Sequence, residues 1–183
     1  MIKGMQIYYT VRLVVFTVIA VLIGVQAKFI IEADVLHYLV SSVMILFGLE
    51  GIIYPIIKDR KKFYVDAQFY LGHVDLILGL VVIITIRKLD YVCMIWATWT
   101  IVREAFDLYE IGHKAMHGFP AFLSLALSVT EIVFSVFMLI EATEHHALTH
   151  IYLLIPEFII NGLAPLLFDI HTKRKKKREM PAE

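Results

Sequence analysis

The chain has 183 residues, of which 60% are hydrophobic and 19% are charged, and its mean hydropathy is +0.77. An ordinary water-soluble domain is much less apolar, so the composition excludes that class. The 17 basic and 17 acidic residues cancel, but the charge is unevenly placed, with six of the basic residues in the tail at 173–178. The composition therefore predicts an integral membrane protein.

Six apolar windows follow one another along the chain. Each is long enough to cross about 30 Å of hydrocarbon, which takes about 20 mostly apolar residues. The links within successive pairs are short, so the members of a pair should be antiparallel neighbours. We predict an all-α polytopic membrane protein, a single membrane domain of six transmembrane helices arranged as three pseudo-repeated helical hairpins. The windows lie at about 13–31, 35–57, 69–86, 91–111, 121–140 and 151–170, the hairpins at about 9–62, 63–118 and 119–172, and a basic tail at 173–183.

The first window has a second interpretation. Val25-Gln26-Ala27 fits the small-residue site at which a signal peptide is cleaved. Apolar sequence resumes at Phe29, however, and cleavage would leave half a hairpin. We therefore expect this window to remain as the first transmembrane helix.

The distribution of basic residues predicts the orientation. With both ends on one side, 13 Lys and Arg residues lie on that side of the membrane and three lie on the other. Cytoplasmic loops carry the excess of positive charge, so both termini should be cytoplasmic. The basic loop at 58–62 and the tail should bind anionic lipid head groups. We expect no nucleic acid partner.

Three glutamates, Glu50, Glu104 and Glu157, recur at intervals of 54 and 53 residues inside apolar windows. A fixed period indicates a copied unit. The odd-numbered windows add Asp75 and Glu131, so that five acids fall at similar depth. Ionisable groups at hydrocarbon depth are unfavourable by several kcal/mol unless they face protein or water. The predicted intramembrane polar cluster comprises Glu50, Asp75, Glu104, Glu131, Glu157, Arg103, Asp107, Asn161 and Ser128.

Two interpretations of this cluster remain open. Buried Glu, Ser and Asn side chains often hold membrane helices together by hydrogen bonds and do nothing else. Alternatively, the acids meet in a common interior, where one arginine cannot neutralise five carboxylates. In that case at least two acids are protonated, share protons, or contact water or a cation.

Histidines close to the start of the sixth window suggest a second site. His146 and His150 are one helical turn apart, and Glu144 precedes them. This spacing can bind zinc or copper if a third ligand is near, so the three residues form a candidate metal site; protonation is an alternative role for these histidines. No motif of an enzyme is present, and we expect neither enzymatic activity nor a cofactor.

Three segments resemble the short six-span bacterial membrane proteins related to the HdeD acid-resistance protein. They are Gly48–Pro55 (GLEGIIYP), Gly72–Gly79 (GHVDLILG) and Trp99–Phe106 (WTIVREAF), and the similarity extends over about Leu13 to Asp169. The resemblance implies a bacterial inner-membrane protein associated with acid or general stress, whose molecular activity is not defined. The chain has fewer glycines and more intramembrane acids than is typical of the family.

Our leading hypothesis is such an HdeD-like membrane protein with an interior carboxylate cluster. One alternative is a small transporter or channel coupled to protons or cations. Six helices enclose little volume, so a homo-oligomer is a plausible arrangement if the protein forms a pore. The other alternative is a membrane scaffold or assembly factor that binds its partner through the cytoplasmic basic surface.

Overall fold

The structure is a computed structural model that describes residues 2–32, 34–113 and 119–179. It confirms the all-α class. The boundary predicted at 118 and the last residues of the tail, 180–183, lie outside the described part of the chain. The helices are α1 (Ile2–Glu32), α2 (Leu36–Lys58), α3 (Ala67–Thr85), α4 (Leu89–His113), α5 (Phe119–Ile140) and α6 (Glu144–Glu179), with a short 3-10 helix at Phe63–Val65.

Four helices in the described part of the chain are long and apolar enough to cross a membrane: α1, α2, α3 and α5. Helix α4 falls short because Arg103, Glu104 and Asp107 lie within five residues of one another. Helix α6 is a continuous helix of 36 residues that includes a strongly charged end. Several membrane-spanning helices are therefore compatible with the structure, whereas six spans and a threefold hairpin repeat remain predictions.

The chain forms two compact units. The first contains Met1–Val25 and Tyr152–Glu183, and the second contains Gln26–Ile151. Within the first unit, α1 and α6 are antiparallel neighbours: Gly162 lies against Leu13, and the rings of Phe16 and Phe158 meet edge to face with centroids 5.1 Å apart.

Helices α2 and α3 in the second unit approach each other so closely that their backbones touch. Gly48 and Gly51 of α2 face Gly72 of α3, and Gly79 of α3 faces Ser41. A side chain at any of these four glycines would meet backbone atoms of the other helix at 3.0 Å or less. Small residues allow this approach, which lets two helices gain dispersion contacts in lipid, where no hydrophobic effect drives them together.

The connection between α2 and α3 is held by local polar contacts. Lys58, at the end of α2, forms an ion pair with Asp66 at 3.1 Å. The same Asp66 caps α3, since its side chain accepts a hydrogen bond from the backbone N–H of Gln68. This cap satisfies one of the donors that the first turn of a helix leaves unpaired.

Helices α4 and α5 form the second extensive contact of this unit. The two close pairs, α2 with α3 and α4 with α5, therefore pack across the predicted repeat boundaries at 62 and 118. The reason lies in the side chains: the glycines of α2 and α3 face each other, and the serine-bearing face of α5 is turned to α4.

We predict that Gly48→Ala destabilises the protein by about 1–3 kcal/mol, because the new methyl group would lie 2.6 Å from the backbone nitrogen of Leu76. The measurement is thermal or denaturant unfolding of the purified protein in detergent. Gly24→Ala is the matched control. Its methyl group would meet only the flexible end of Ile155, at 3.1 Å, so its stability should stay within about 1 kcal/mol of the wild type. Equal effects of the two substitutions would contradict the backbone contact described above.

Candidate functional site

Helix α4 presents its two central charges to different neighbours. Successive residues of an α-helix point about 100° apart, so Arg103 and Glu104 cannot face the same helix. Arg103 contacts α3, and Glu104 contacts α5. The polar residues of the second unit are thereby divided into an ion pair on one side of α4 and an acid-rich column on the other.

The ion pair joins Asp75 of α3 to Arg103 of α4. The guanidinium Nη1 of Arg103 donates a hydrogen bond to Oδ2 of Asp75 at 2.8 Å, and the indole N–H of Trp99 donates to Oδ1 at 2.8 Å. Trp99 and Arg103 are four residues apart and so share one face of α4. Phe47 of α2 completes the group, because its ring lies 5.2 Å from the guanidinium carbon and 5.9 Å from the Trp99 ring.

The acid-rich column begins at Glu104. Ser128 of α5 donates a hydrogen bond to this carboxylate, and Glu131 is close enough for the two charges to interact. Ser128, Glu131 and Ser135 are all buried, at spacings of three and four residues that place them on one face of α5. Seven residues of helix separate the two serines, so the column extends over roughly 10 Å along α5.

His150 of α6 lies at the other end of the column. Its Nδ1 is 3.2 Å from Oε2 of Glu131, and its Nε2 is 3.2 Å from the hydroxyl oxygen of Ser135. The side chains of Glu131 and His150 are each only 1% exposed. The contact is close but not aligned as a hydrogen bond, and within the described residues both carboxylate oxygens of Glu131 lack a hydrogen-bond partner. The ring of Trp96 covers the imidazole, with centroids 4.7 Å apart.

The remaining residues of the predicted cluster are placed less centrally. Glu50 and Asp107 are half-buried, and Asp107 is near enough to Glu104 for their charges to interact. Glu157 is buried and Asn161 half-buried, and both belong to the first unit. Of the five predicted acids, the structure brings Glu104 and Glu131 together and pairs Asp75 with Arg103.

The predicted metal site is not assembled. His150 is turned into the interior against Glu131, whereas the Nδ1–H of His146 donates to the backbone carbonyl of Glu141 at 2.7 Å. Glu144 is exposed at the start of α6. Within the described part of the chain, no group of three His, Cys, Asp or Glu side chains is arranged to hold a metal ion.

The sequence analysis did not assign His150 to the interior column, although a signal for this placement exists. Residues at equal distances from a tight turn face each other in an antiparallel helix pair. Ser135 and His150 lie at nearly equal distances on either side of the short link at 141–143. Extending the polar stripe of α5 across this link would have identified His150 as its partner.

No protein-family model, characterised protein or solved structure matches this chain. The chemistry of the column must therefore follow from its own geometry. A carboxyl group and an imidazole in contact, shielded from solvent and near a second carboxyl group that is hydrogen-bonded to Ser128, form a row of proton-binding side chains along α5.

We predict that Arg103→Met destabilises the protein by about 3 kcal/mol or more, because it leaves the Asp75 carboxylate buried without its counter-charge. Adding Asp75→Asn to this variant should recover part of the loss, which a double-mutant cycle of unfolding free energies will measure. Lys58→Met is the matched control: it also removes an ion pair, but Lys58 is 44% exposed, so its effect should be below about 1 kcal/mol. Strict additivity of the Asp75 and Arg103 substitutions would argue against the pair.

Proposed function

We propose that this protein is a polytopic integral membrane protein that moves protons through the column formed by Glu104, Ser128, Glu131 and His150. The observation that supports this proposal best is the Glu131–His150 contact. Both side chains are almost completely buried, and neither the acid nor the imidazole nitrogen beside it has a hydrogen bond among the described residues.

Structural adhesion between helices explains this contact poorly. Groups that hold membrane helices together gain their free energy from hydrogen bonds, and buried polar groups are nearly always hydrogen-bonded. An acid that lacks hydrogen bonds in the described structure contributes little to adhesion. Chains of Asp, Glu and His in membrane helices are, by contrast, the usual components of proton relays.

The Asp75–Arg103 pair has a different role in this proposal. Its charges compensate each other, and the indole N–H of Trp99 and the ring of Phe47 hold it in place. A fixed pair of this kind stabilises the unit while Glu104, the next residue along α4, remains available for the column. Proton movement thus takes place on one face of α4 and structural stabilisation on the other.

The membrane arrangement that we propose has six spans, both termini in the cytoplasm and a location in the bacterial inner membrane. The asymmetry of 13 against three basic residues supports the orientation. The resemblance of three segments to HdeD-like proteins supports a bacterial protein with a role in acid or general stress, for which a buried proton-binding column is a suitable device.

We predict that maleimide labelling of single-cysteine variants will agree with the proposed orientation in the membrane. The chain has one cysteine, the buried Cys93, so Cys93→Ser gives a cysteine-free background. In intact cells, a membrane-impermeant maleimide should label Glu141→Cys and Arg87→Cys, whereas Lys61→Cys should react only after lysis. Labelling of Lys61→Cys in intact cells would contradict the proposed orientation.

We predict that purified protein in liposomes dissipates an imposed pH gradient, as followed by an internal pH-sensitive dye. Glu131→Gln should reduce the flux to that of protein-free liposomes, because an amide of the same shape cannot take up and release the proton. Glu144→Gln, at an exposed acid of α6, should leave the flux unchanged. If the Glu131→Gln protein dissipates the pH gradient as fast as the wild type, with or without an added cation, the proposed relay is refuted.

A further inference from the structure

A surface groove lies where α3 ends and α4 begins, at the opposite end of α3 from the α2–α3 loop. It has a volume of about 480 Å³, which falls within the range of about 300–1,000 Å³ that is usual for small-molecule sites. Its rim carries two basic residues, Arg87 and Lys88, and its walls are apolar. The lining comprises Ile86, Tyr91, Met94 and Ile95, with Thr85 beside the rim.

The two basic side chains have no partner within the described part of the chain. Neither Arg87 nor Lys88 forms an ion pair or a side-chain hydrogen bond there. The nearest acid in sequence is Asp90, which is exposed in the first turn of α4 and does not line the groove. The rim therefore carries two positive charges without a negative charge among the residues that form it.

The position of the groove across the proposed membrane follows from the length of α3. This helix has 19 residues and is one of those apolar enough to cross a membrane. At 1.5 Å per residue its length is about 28 Å, close to the thickness of the hydrocarbon layer. The end of α3 therefore lies at the membrane–water boundary, with Arg87 and Lys88 at the depth of the lipid head groups.

The apolar wall continues from the rim towards the hydrocarbon. Tyr91 and Met94 are 57% and 49% exposed, so both are accessible to a lipid. Met94 and Ile95 lie about one helical turn beyond Tyr91, which is roughly 5 Å deeper. A tyrosine at the boundary is typical of the aromatic belt of membrane proteins. The groove thus changes from basic to apolar in the same direction and over the same distance as a phospholipid changes from head group to acyl chain.

We propose that this groove binds one anionic phospholipid, with its phosphate between Arg87 and Lys88 and the first part of an acyl chain along Met94 and Ile95. The charge of the rim selects an anionic head group over a zwitterionic one. The apolar wall selects a lipid over a soluble phosphate. In the proposed orientation the groove opens to the outer leaflet, where basic residues are otherwise scarce, so the position of Arg87 and Lys88 has a specific explanation.

This inference rests on the proposed insertion of α3 in the membrane, but not on proton movement. Native mass spectrometry of the full-length protein in detergent will measure the binding of phosphatidylglycerol, phosphatidylcholine and glycerol phosphate, the last as a soluble head group. We expect phosphatidylglycerol to bind about tenfold more tightly than phosphatidylcholine, since two basic residues each favour the anionic lipid. Glycerol phosphate should show no binding at the same concentration.

The double variant Arg87→Gln/Lys88→Gln should lose the preference for phosphatidylglycerol. Two controls distinguish a site from general charge and from misfolding. Lys28→Gln removes an exposed basic residue that does not line the groove and should keep the preference, as should the exchange Arg87→Lys/Lys88→Arg, which retains both charges.

Equal affinity for the two lipids, retention of the preference in Arg87→Gln/Lys88→Gln, or equally tight binding of glycerol phosphate would overturn this inference. Extraction of membranes with alkaline carbonate separates its failure from that of the proposed membrane arrangement. A protein that stays in the membrane pellet but shows no lipid preference contradicts only the lipid site. A protein released by carbonate contradicts the arrangement itself.

Discussion

The arrangement of the second unit depends on the contact between the backbones of α2 and α3. Because Gly48, Gly51 and Gly72 have no side chains, the two helices are held at a distance that only main-chain atoms determine. Asp75 lies one turn beyond Gly72, and Phe47 is adjacent to Gly48. The contact therefore fixes the positions of the acid and the ring that receive Arg103 and Trp99 from α4.

Helix α4 then separates compensated from uncompensated charge. Its Arg103 is neutralised by Asp75, and Glu104 on the neighbouring face meets the hydroxyl of Ser128 and the carboxyl group of Glu131. Burying a charge without compensation is unfavourable by several kcal/mol, and proteins avoid this cost by pairing the charge or by protonating the group. The interior of this unit uses pairing on one side of α4, and on the other side protonation is the available route.

The sequence allowed the six helices to be located, since each predicted window overlaps one helix. It did not predict that α1 begins at Ile2 or that α6 ends at Glu179. Hydropathy reports the hydrocarbon layer, and these helices continue beyond it. The column was predicted in part, since Glu104, Ser128 and Glu131 belong to the predicted intramembrane cluster. His150 was assigned to a metal site because its spacing from His146 was the nearest pattern, whereas its actual neighbours come from α4 and α5 and are distant in sequence. Helix contact partners likewise depend on which faces carry small residues, and hydropathy does not report this.

The glycine contact also determines where the second unit is able to change shape. Two helices in main-chain contact interlock, so sliding one along the other would drive backbone atoms into each other. The α4–α5 contact, in contrast, is made through hydroxyl and carboxyl side chains such as Ser128 and Glu104, which can exchange partners after a small shear. Helices α2 and α3 thus form a rigid support, and if the proposed movement of protons displaces helices, the displacement should be confined to the α4–α5 side.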